Sequence, residues 1–295
     1  MLRCFVILCW VALLTACSPY FKNDTKDNSP TSGQLIVYCD PGLYELTYYL
    51  AYTFMAQYPA AQVTVIPQSN PIAVQNLLKD SCELIILNRT LSDQEQLQFK
   101  SKNEVPKQTH LAENALALVC SKKIQDSNLT SAELKALLAG NTTKGFKMLQ
   151  LPQNLSEFSQ LIGFLFNTQA PKTLIGKFLP NTKSVLEAVA KDSTLLGLID
   201  FAQCSDRDDT LYRSLKTKIK IMACNGILPS ASTLKTQDYP LPLKVYSVRT
   251  TGDFTLAKGF EAFIAGPKGQ WMFLKRGLLP ARQQERSIQV NLQAI

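Results

Sequence analysis

Histidine is nearly absent from the sequence, and its scarcity excludes most common catalytic and zinc-binding arrangements. His110 is the single histidine in 295 residues, so it has no partner for a zinc cluster and would have to serve alone as a catalytic base. The sequence also contains no GxSxG, HExxH or P-loop GxxxxGK[ST] motif. We therefore predict that the protein is not an enzyme and that it holds no metal ion or organic cofactor.

Long hydrophobic runs are also scarce. After Leu14 no apolar run reaches the length needed to cross a membrane. With 46% hydrophobic and 18% charged residues, the remaining chain has the composition of a globular body. About 260 residues follow Ser32, enough for one large or two modest domains.

Charge of one sign is not concentrated anywhere in the chain. The formal net charge is +8, which favours anionic partners in general. However, acidic and basic residues are interleaved, and the densest basic stretch, Lys268–Arg286, has no ladder of aromatic residues on which bases could stack. We therefore predict no nucleic-acid partner.

The first residues carry a targeting signal. Arg3 precedes the apolar run Phe5–Leu14, which is too short to span a bilayer as a stable helix. The following Leu-Thr-Ala-Cys resembles the bacterial lipobox, so residues 1–16 would be a signal peptide and Cys17 the acylated residue. Residues 17–32 are polar and would form a linker. The alternatives are an ordinary secretory signal or an N-terminal anchor helix. Each of these interpretations places the body outside the cytoplasm, and the lipoprotein interpretation places it in the cell envelope, on the periplasmic side, anchored to the membrane by lipid.

Five cysteines lie in the predicted body, and an odd number cannot all pair. They lack the close spacings of a metal site and several lie in apolar, strand-like contexts, so we expect buried thiols. One disulfide stays open as an alternative, and the sequence does not specify its partners. These residues are Cys39, Cys82, Cys120, Cys204 and Cys224.

Apolar strand-like segments alternate with helical ones along the body, which predicts an α/β fold with helices on both faces of its sheets. Examples are a strand at Gln34–Cys39, a helix at Tyr44–Gln57 and a strand at Ala60–Pro67. Ligands of such folds bind at the carboxyl ends of strands. The loops after Cys39 and Leu87 are therefore candidate binding positions, together with the loop after Leu151.

Several local strings, in the expected order, resemble the PstS-like periplasmic phosphate-binding proteins of the type 2 solute-binding fold. The strongest resembles the family's "LT.eqL..if.G" segment; the others resemble its Ser-Arg strand end, its "a.nGv.Ps" and "YPl.r.ly" strands, and its "s.eGQ" turn with the following "..Gf.P". The matching strings are Leu129–Gly140, Ile85–Leu91, Ile221–Pro229, Tyr239–Leu241, Gly266–Gln270 and Gly277–Pro280.

This resemblance implies two lobes, each built on a mixed sheet flanked by helices and joined by two crossover strands. The crossovers would lie near Thr109–Leu118 and Lys218–Ile227. Lobe one would comprise residues 33–110 and 225–295, and lobe two residues 111–224. Such proteins close around a small anionic solute and deliver it to an ABC permease.

The first predicted binding loop departs from the family pattern. The family presents a Gly-Ser-Thr loop whose hydroxyls hold phosphate, whereas this chain has Cys39–Tyr44. The hydroxyls are missing and Asp40 would repel a dianion, although Gly42 still permits close approach of the backbone. Tyr44 is interpreted either as a residue that packs the helix or as a pocket-lining residue.

The second predicted loop departs further. The family's Arg followed by Ser-Gly-Thr aligns with Leu151 and Leu155–Glu157, so the guanidinium and most hydroxyls are lost. Ser156 keeps one hydroxyl. Asn154 is interpreted as a helix N-cap, or as an amide on the binding rim.

The third predicted loop, Asn88-Arg89-Thr90, retains a cation. Arg89 follows an apolar strand, so it either faces a bound anion or forms an ion pair with Asp93 or Glu95. The resemblance implies a solute-binding protein whose default ligand is phosphate or another oxyanion, and these changes predict that its site is degenerate. The alternative is a ligand-free scaffold or partner-binding lipoprotein of an envelope complex that keeps the fold.

Overall fold

A computed structural model describes residues 28–153, 158–167, 174–206 and 210–282 of the chain. Within these residues, eleven strands form one continuous, mixed sheet flanked by helices. The strands are β1 (Gly33–Cys39), β2 (Ala61–Pro67), β3 (Leu84–Leu87), β4 (Lys107–Ser121), β5 (Asn128–Leu129), β6 (Met148–Pro152), β7 (Gly176–Leu179), β8 (Leu195–Asp200), β9 (Ile219–Cys224), β10 (Pro242–Arg249) and β11 (Leu279–Pro280).

The helices follow the strands in alternation, as expected for an α/β fold. They are α1 (Tyr44–Gln57), α2 (Asn70–Leu78), α3 (Asp93–Ser101), α4 (Ser131–Leu138), α5 (Phe158–Phe166), α6 (Thr182–Lys191), α7 (Thr210–Leu215), α8 (Ala231–Lys235), α9 (Leu256–Ala265) and α10 (Pro267–Lys275), with short 3₁₀ helices at Pro41–Leu43 and Phe201–Gln203. None of the helices in the described residues combines the length and apolar character needed to cross a bilayer.

Strand pairing divides the sheet into two halves that share β4. In the first half, β1 pairs in parallel with β2 and β3, and β10 pairs antiparallel with both β3 and β4. In the second half, β8 and β9 pair antiparallel with the end of β4, and β6 pairs in parallel with β7 and β8. The fold is the predicted α/β type, although its central strands are antiparallel.

Strand β4 carries the chain from one half to the other. It spans 15 residues, so its first part pairs with β10 and its last part with β8 and β9. An apolar strand is evident in the sequence only from Glu113, because the preceding residues are mostly polar. Strand β9 covers part of the second predicted crossover and pairs with Leu118–Ser121 at the end of β4. The position of that crossover stays a prediction. The lobe boundaries stay a prediction.

Helices α1 and α9 cover the same face of the first half and form much of its core. The Phe54 ring lies 5.3 Å from that of Phe260 and 5.4 Å from that of Phe263. A smaller cluster under α2 and α3 includes Leu77 and Phe99, which are both buried. Burying apolar side chains on this scale is the main stabilising contribution in such a domain. The five cysteines of the body are also buried, and no disulfide joins them.

A buried ion pair fixes the end of β10 against α9. The Arg249 Nε atom lies 2.8 Å from the Glu261 Oε2 atom, and both side chains are almost fully buried. The Glu261 carboxylate also accepts hydrogen bonds from Thr109 and Ser247. These bonds and the one from Arg249 lower the pKa of Glu261, although its burial acts in the opposite direction.

Candidate functional site

Four polar side chains meet where the two halves of the sheet face each other. Asp40 follows β1, Asn88 follows β3, Asn114 lies within β4 and Asp200 ends β8. Each is at most 1% exposed. Because the carboxyl ends of strands are the usual ligand positions in α/β folds, this buried polar cluster is the candidate site.

The cluster is joined by direct hydrogen bonds between the halves. The Asn88 Nδ2 atom donates to Asp200 Oδ2 at 2.6 Å. The Asn114 amide donates to Asn88 Oδ1 at 2.9 Å and to Asp200 Oδ1 at 2.9 Å. The backbone N–H of Ala202 completes the shell of Asp200 at 2.7 Å. The hydrogen-bond donors of both halves therefore converge on a carboxylate of the chain itself, that of Asp200.

Gly42 brings the backbone of the first half directly against Asp200. A Cβ atom added at Gly42 would lie 2.5 Å from Asp200 Oδ2, so only glycine fits there. The Gly42 N–H donates to Asp40 Oδ1 at 2.8 Å. Positions of this kind, just before a helix, ordinarily favour a bound anion. Here two carboxylates of the chain occupy the space around the Gly42 backbone.

The two carboxylates interact unfavourably when both are charged. Burial, and secondly the charge of Asp40, raise the pKa of Asp200 to about 7, although hydrogen bonds from Asn114, Ala202 and Asn88 act in the opposite direction. The cluster therefore favours the protonated form of Asp200 more strongly than water does. Burial and the same Asp40 charge also raise the pKa of the adjacent Cys39 thiol, so this cysteine is not a reactive thiolate.

Further contacts hold the halves together around the cluster. The Gln203 side chain donates to the Pro41 carbonyl at 3.3 Å, and Gln160 donates to the Asn88 carbonyl at 3.4 Å. These bonds close the halves directly on each other.

The third predicted loop is tied to its own neighbours. The Arg89 Nη1 and Nη2 atoms contact the two Glu95 carboxylate oxygens at 2.7 and 2.8 Å, and Nη1 also donates to the Thr90 carbonyl. This is the ion-pair alternative stated for Arg89 from the sequence. Its charge is thus largely neutralised, whereas Asn88 belongs to the buried cluster. Thr90 is exposed.

The remaining predicted site residues are distributed differently. Asp40 and Gly42 lie in the cluster, as their positions after the first strand suggested. Tyr44 is half-buried and its ring lies 6.2 Å from that of Tyr48. Asn154, Ser156 and Cys17 lie outside the described residues. The roles given to all these residues stay predictions.

Two residues of the cluster were missed from the sequence. Asp200 closes an apolar strand, and an acidic residue in that position is a recognisable signal for a helix cap or a site. Asn114 interrupts the long apolar run of β4 and is the kind of polar residue that needs a buried partner. Among the described residues, no three histidine, cysteine, aspartate or glutamate side chains are placed to hold a metal ion.

Known structures share this fold across almost the whole body. A substrate-binding protein of a phosphate ABC transporter from Clostridium perfringens, solved with bound phosphate, has a TM-score of 0.72 at 14% identity, covering 85% of this chain and all of that one. An ABC-type phosphate transport receptor from Vibrio cholerae has a TM-score of 0.64 at 14% identity, covering 83% of this chain and 99% of that one. At such identities the likeness shows the fold alone.

The same fold also occurs in HinK, a LysR family transcriptional regulator from Pseudomonas aeruginosa, with a TM-score of 0.53 at 13% identity, covering 79% of this chain and 69% of that one. A hydrogen peroxide-bound mutant of OxyR from Corynebacterium glutamicum has a TM-score of 0.57 at 12% identity, covering 84% of this chain and 67% of that one. No curated protein matches the sequence. A family model described as the PBP superfamily domain matches residues 24–268, which is most of the chain. The chain therefore belongs to the PBP superfamily and has the PstS-like, type 2 periplasmic binding protein fold.

Proposed function

We propose that the protein is a lipid-anchored, extracytoplasmic solute-binding component of an ABC-type uptake system. Phosphate or another oxyanion is the default ligand class, held by a degenerate site. The observation that carries this proposal is the polar cluster at the junction of two halves of a solute-binding fold. Neighbours of this fold are phosphate transport proteins, one of them with bound phosphate. An ABC permease is the corresponding partner.

The charge of the cluster supports weak rather than tight oxyanion binding. Asp40 and Asp200 both lie against the Gly42 backbone, where we propose that an anion would bind, and Arg89 is already paired with Glu95. Charge-assisted hydrogen bonds contribute roughly 1.5–3 kcal/mol each. Losing three of them costs at least about 4 kcal/mol, or nearly three decades of affinity.

Calorimetry with phosphate, sulfate, molybdate and small organic anions tests this proposal. We expect heat only at high concentration, with a dissociation constant no tighter than roughly 100 μM for phosphate. Asp238→Asn, which removes one exposed carboxylate far along the sequence from the cluster, should bind these anions as the wild-type protein does. Heat for none of the anions at millimolar concentration would reject the uptake role and favour a scaffold.

A second candidate, a partner-binding envelope lipoprotein, is favoured by an exposed aromatic surface. Helices α1 and α10 lie side by side, linked by Lys268 and Gln57 and by stacking of Arg276 on Tyr49 at 5.3 Å. Aromatic residues and arginine dominate the energetics of protein interfaces. The exposed large side chains of this helix-pair surface are Tyr48, Tyr49, Tyr52, Trp271 and Leu274.

Acylation of Cys17 is the prediction that tests the proposed anchor. The leader ends in a lipobox, and the residues that follow are polar. Palmitate labelling of the wild-type protein should therefore mark the mature chain, and Cys17→Ser should abolish the label and release the protein from the membrane fraction. Unchanged labelling and fractionation in Cys17→Ser would show that the protein is not a lipoprotein of this kind.

A further inference from the structure

Two apolar side chains on neighbouring loops are almost fully exposed to solvent. Val105, just before β4, is 87% exposed, and Phe254, just after β10, is 86% exposed. Exposed apolar side chains are ordinary when scattered singly, whereas contiguous exposed apolar patches mark contact surfaces. We call this pair of loops, 102–106 and 250–255, the loop-tip surface.

Strand pairing places the two loops side by side. Lys107 at the start of β4 is paired with Arg249 at the end of β10, so both loops leave the same end of the sheet. The Lys107 Nζ atom lies 3.0 Å from Asp253 Oδ1 and links one loop to the other. The two apolar tips therefore belong to one surface.

The buried Arg249 side chain fixes the loop that carries Phe254. Arg249 donates to the carbonyls of Thr251 and Gly252 and contacts the Asp253 carboxylate at 2.7 Å. A loop fixed by a buried guanidinium presents its tip at low entropic cost when it binds a surface. The exposure of Phe254 is thus a property of an ordered loop.

The N-terminal segment joins the body beside the same loops. Asn28 Oδ1 accepts a hydrogen bond from the Leu256 N–H at 2.9 Å, two residues after Phe254, and the Pro30 backbone packs against Gly259. Residues 28–32, predicted as part of the linker, thus contact α9. The covalent chain between Cys17 and Asn28 spans at most roughly 40 Å. An anchor at Cys17 would therefore hold this end of the body near the membrane.

Lysines flank the two tips, but only part of their charge is unpaired. Residues 100–107 and 250–258 contain four lysines and two acids; Lys107 is paired with Asp253, and Lys258 is paired with Glu261. Lysines near a bilayer surface are attracted to anionic headgroups by about 1 kcal/mol each. The four lysines are Lys100, Lys102, Lys107 and Lys258.

We propose that the loop-tip surface contacts the membrane, with Phe254 and Val105 inserted among the headgroups of an anionic phospholipid bilayer. The contact orients the body so that the end of the sheet near Asn28 faces the lipid. The position of the body near a membrane rests on the lipid anchor of the proposed function. The contact itself involves only residues that the structure describes. The helix-pair surface around Trp271 is the competing face.

Two single-tryptophan proteins distinguish these faces. In a chain that begins at Ser18, Trp271 is the one tryptophan, and Phe254→Trp combined with Trp271→Phe moves the reporter to the loop tip. An N-terminal hexahistidine tag and nickel-chelating lipid replace the acyl chain, so the result is independent of whether Cys17 is acylated. The vesicles contain phosphatidylglycerol and phosphatidylethanolamine, with or without brominated acyl chains.

We expect brominated lipid to quench the loop-tip tryptophan about two-fold, because interfacial side chains reach about 5–10 Å into the boundary with the acyl chains. Trp271 should be unaffected. Without the tag, Phe254→Ser should reduce sedimentation with the same vesicles, whereas the matched Leu274→Ser should not. Quenching of Trp271 instead, or of neither reporter, would overturn the proposal.

Discussion

Replacing Glu261 with alanine is expected to cost about 3–5 kcal/mol of unfolding free energy, because it leaves a buried guanidinium without its main partner. Arg249 is 1% exposed and Glu261 is 2% exposed. Thr109, Ser247 and Lys258 also contact the Glu261 carboxylate, at 2.9, 3.0 and 3.3 Å. The substitution therefore removes the shared acceptor of a buried network that joins β4, β10 and α9.

Chemical denaturation of Glu261→Ala measures this loss. In thermal unfolding, the melting temperature of Glu261→Ala should fall by roughly 10 °C for a body of this size. Glu45→Ala, on the exposed side of α1, is the matched control and should change stability by less than about 0.5 kcal/mol. Since the pKa of Glu261 is lowered in the folded protein, its contribution is present above the ordinary glutamate pKa and is lost as pH falls through the folded value. A loss below about 1 kcal/mol at pH 7 would contradict the assigned role.

Replacing Asp200 with asparagine is expected to remove a destabilisation of the folded protein that grows as pH rises. The folded-state pKa of Asp200 is raised from 3.8 to about 7 by burial and by Asp40. The folded state therefore binds this proton more tightly than the unfolded state, and the contribution of Asp200 to wild-type stability falls as pH rises from about 4 to about 7. The amide carries no charge, so the variant gains up to about 4 kcal/mol relative to wild type across this range.

Urea unfolding of both proteins between pH 4.5 and 8.5 tests this linkage. The difference in unfolding free energy, variant minus wild type, should grow with pH and level off above the folded-state pKa of Asp200. Asp238→Asn controls for the loss of a carboxylate at the surface. A pH-independent difference for Asp200→Asn would show that Asp200 is not the titrating group of the cluster.

Local sequence signals predicted much of the fold. Helix α1 begins and ends at the predicted residues, Tyr44 and Gln57. The sequence also has the capping-box pattern, Ser or Thr followed three residues later by Glu, at Ser92 and Thr130, and both form the reciprocal hydrogen bonds that this pattern predicts. These signals succeed because each depends on residues within one or two helical turns.

The site was only partly predictable for the same physical reason. Asp40 and Gly42 could be placed because they follow the first strand, where ligands of this fold class bind. The partner carboxylate, Asp200, comes from the other half of the sheet, 160 residues later, and its donor Asn114 lies inside an apolar strand. Only tertiary pairing brings these residues together. The Arg89–Glu95 pair is local and was stated as one of two alternatives.

Phosphate titration calorimetry at pH 7.5 tests the central claim most directly, since this claim is that Asp40 and Asp200 occupy the position at which the fold would hold an anion. Wild-type protein should bind phosphate no more tightly than roughly 100 μM, and Asp40→Asn combined with Asp200→Asn should bind it at least about ten-fold more tightly because the repulsion is removed. Submicromolar phosphate binding by the wild-type protein, or no gain in the double variant, would contradict the claim.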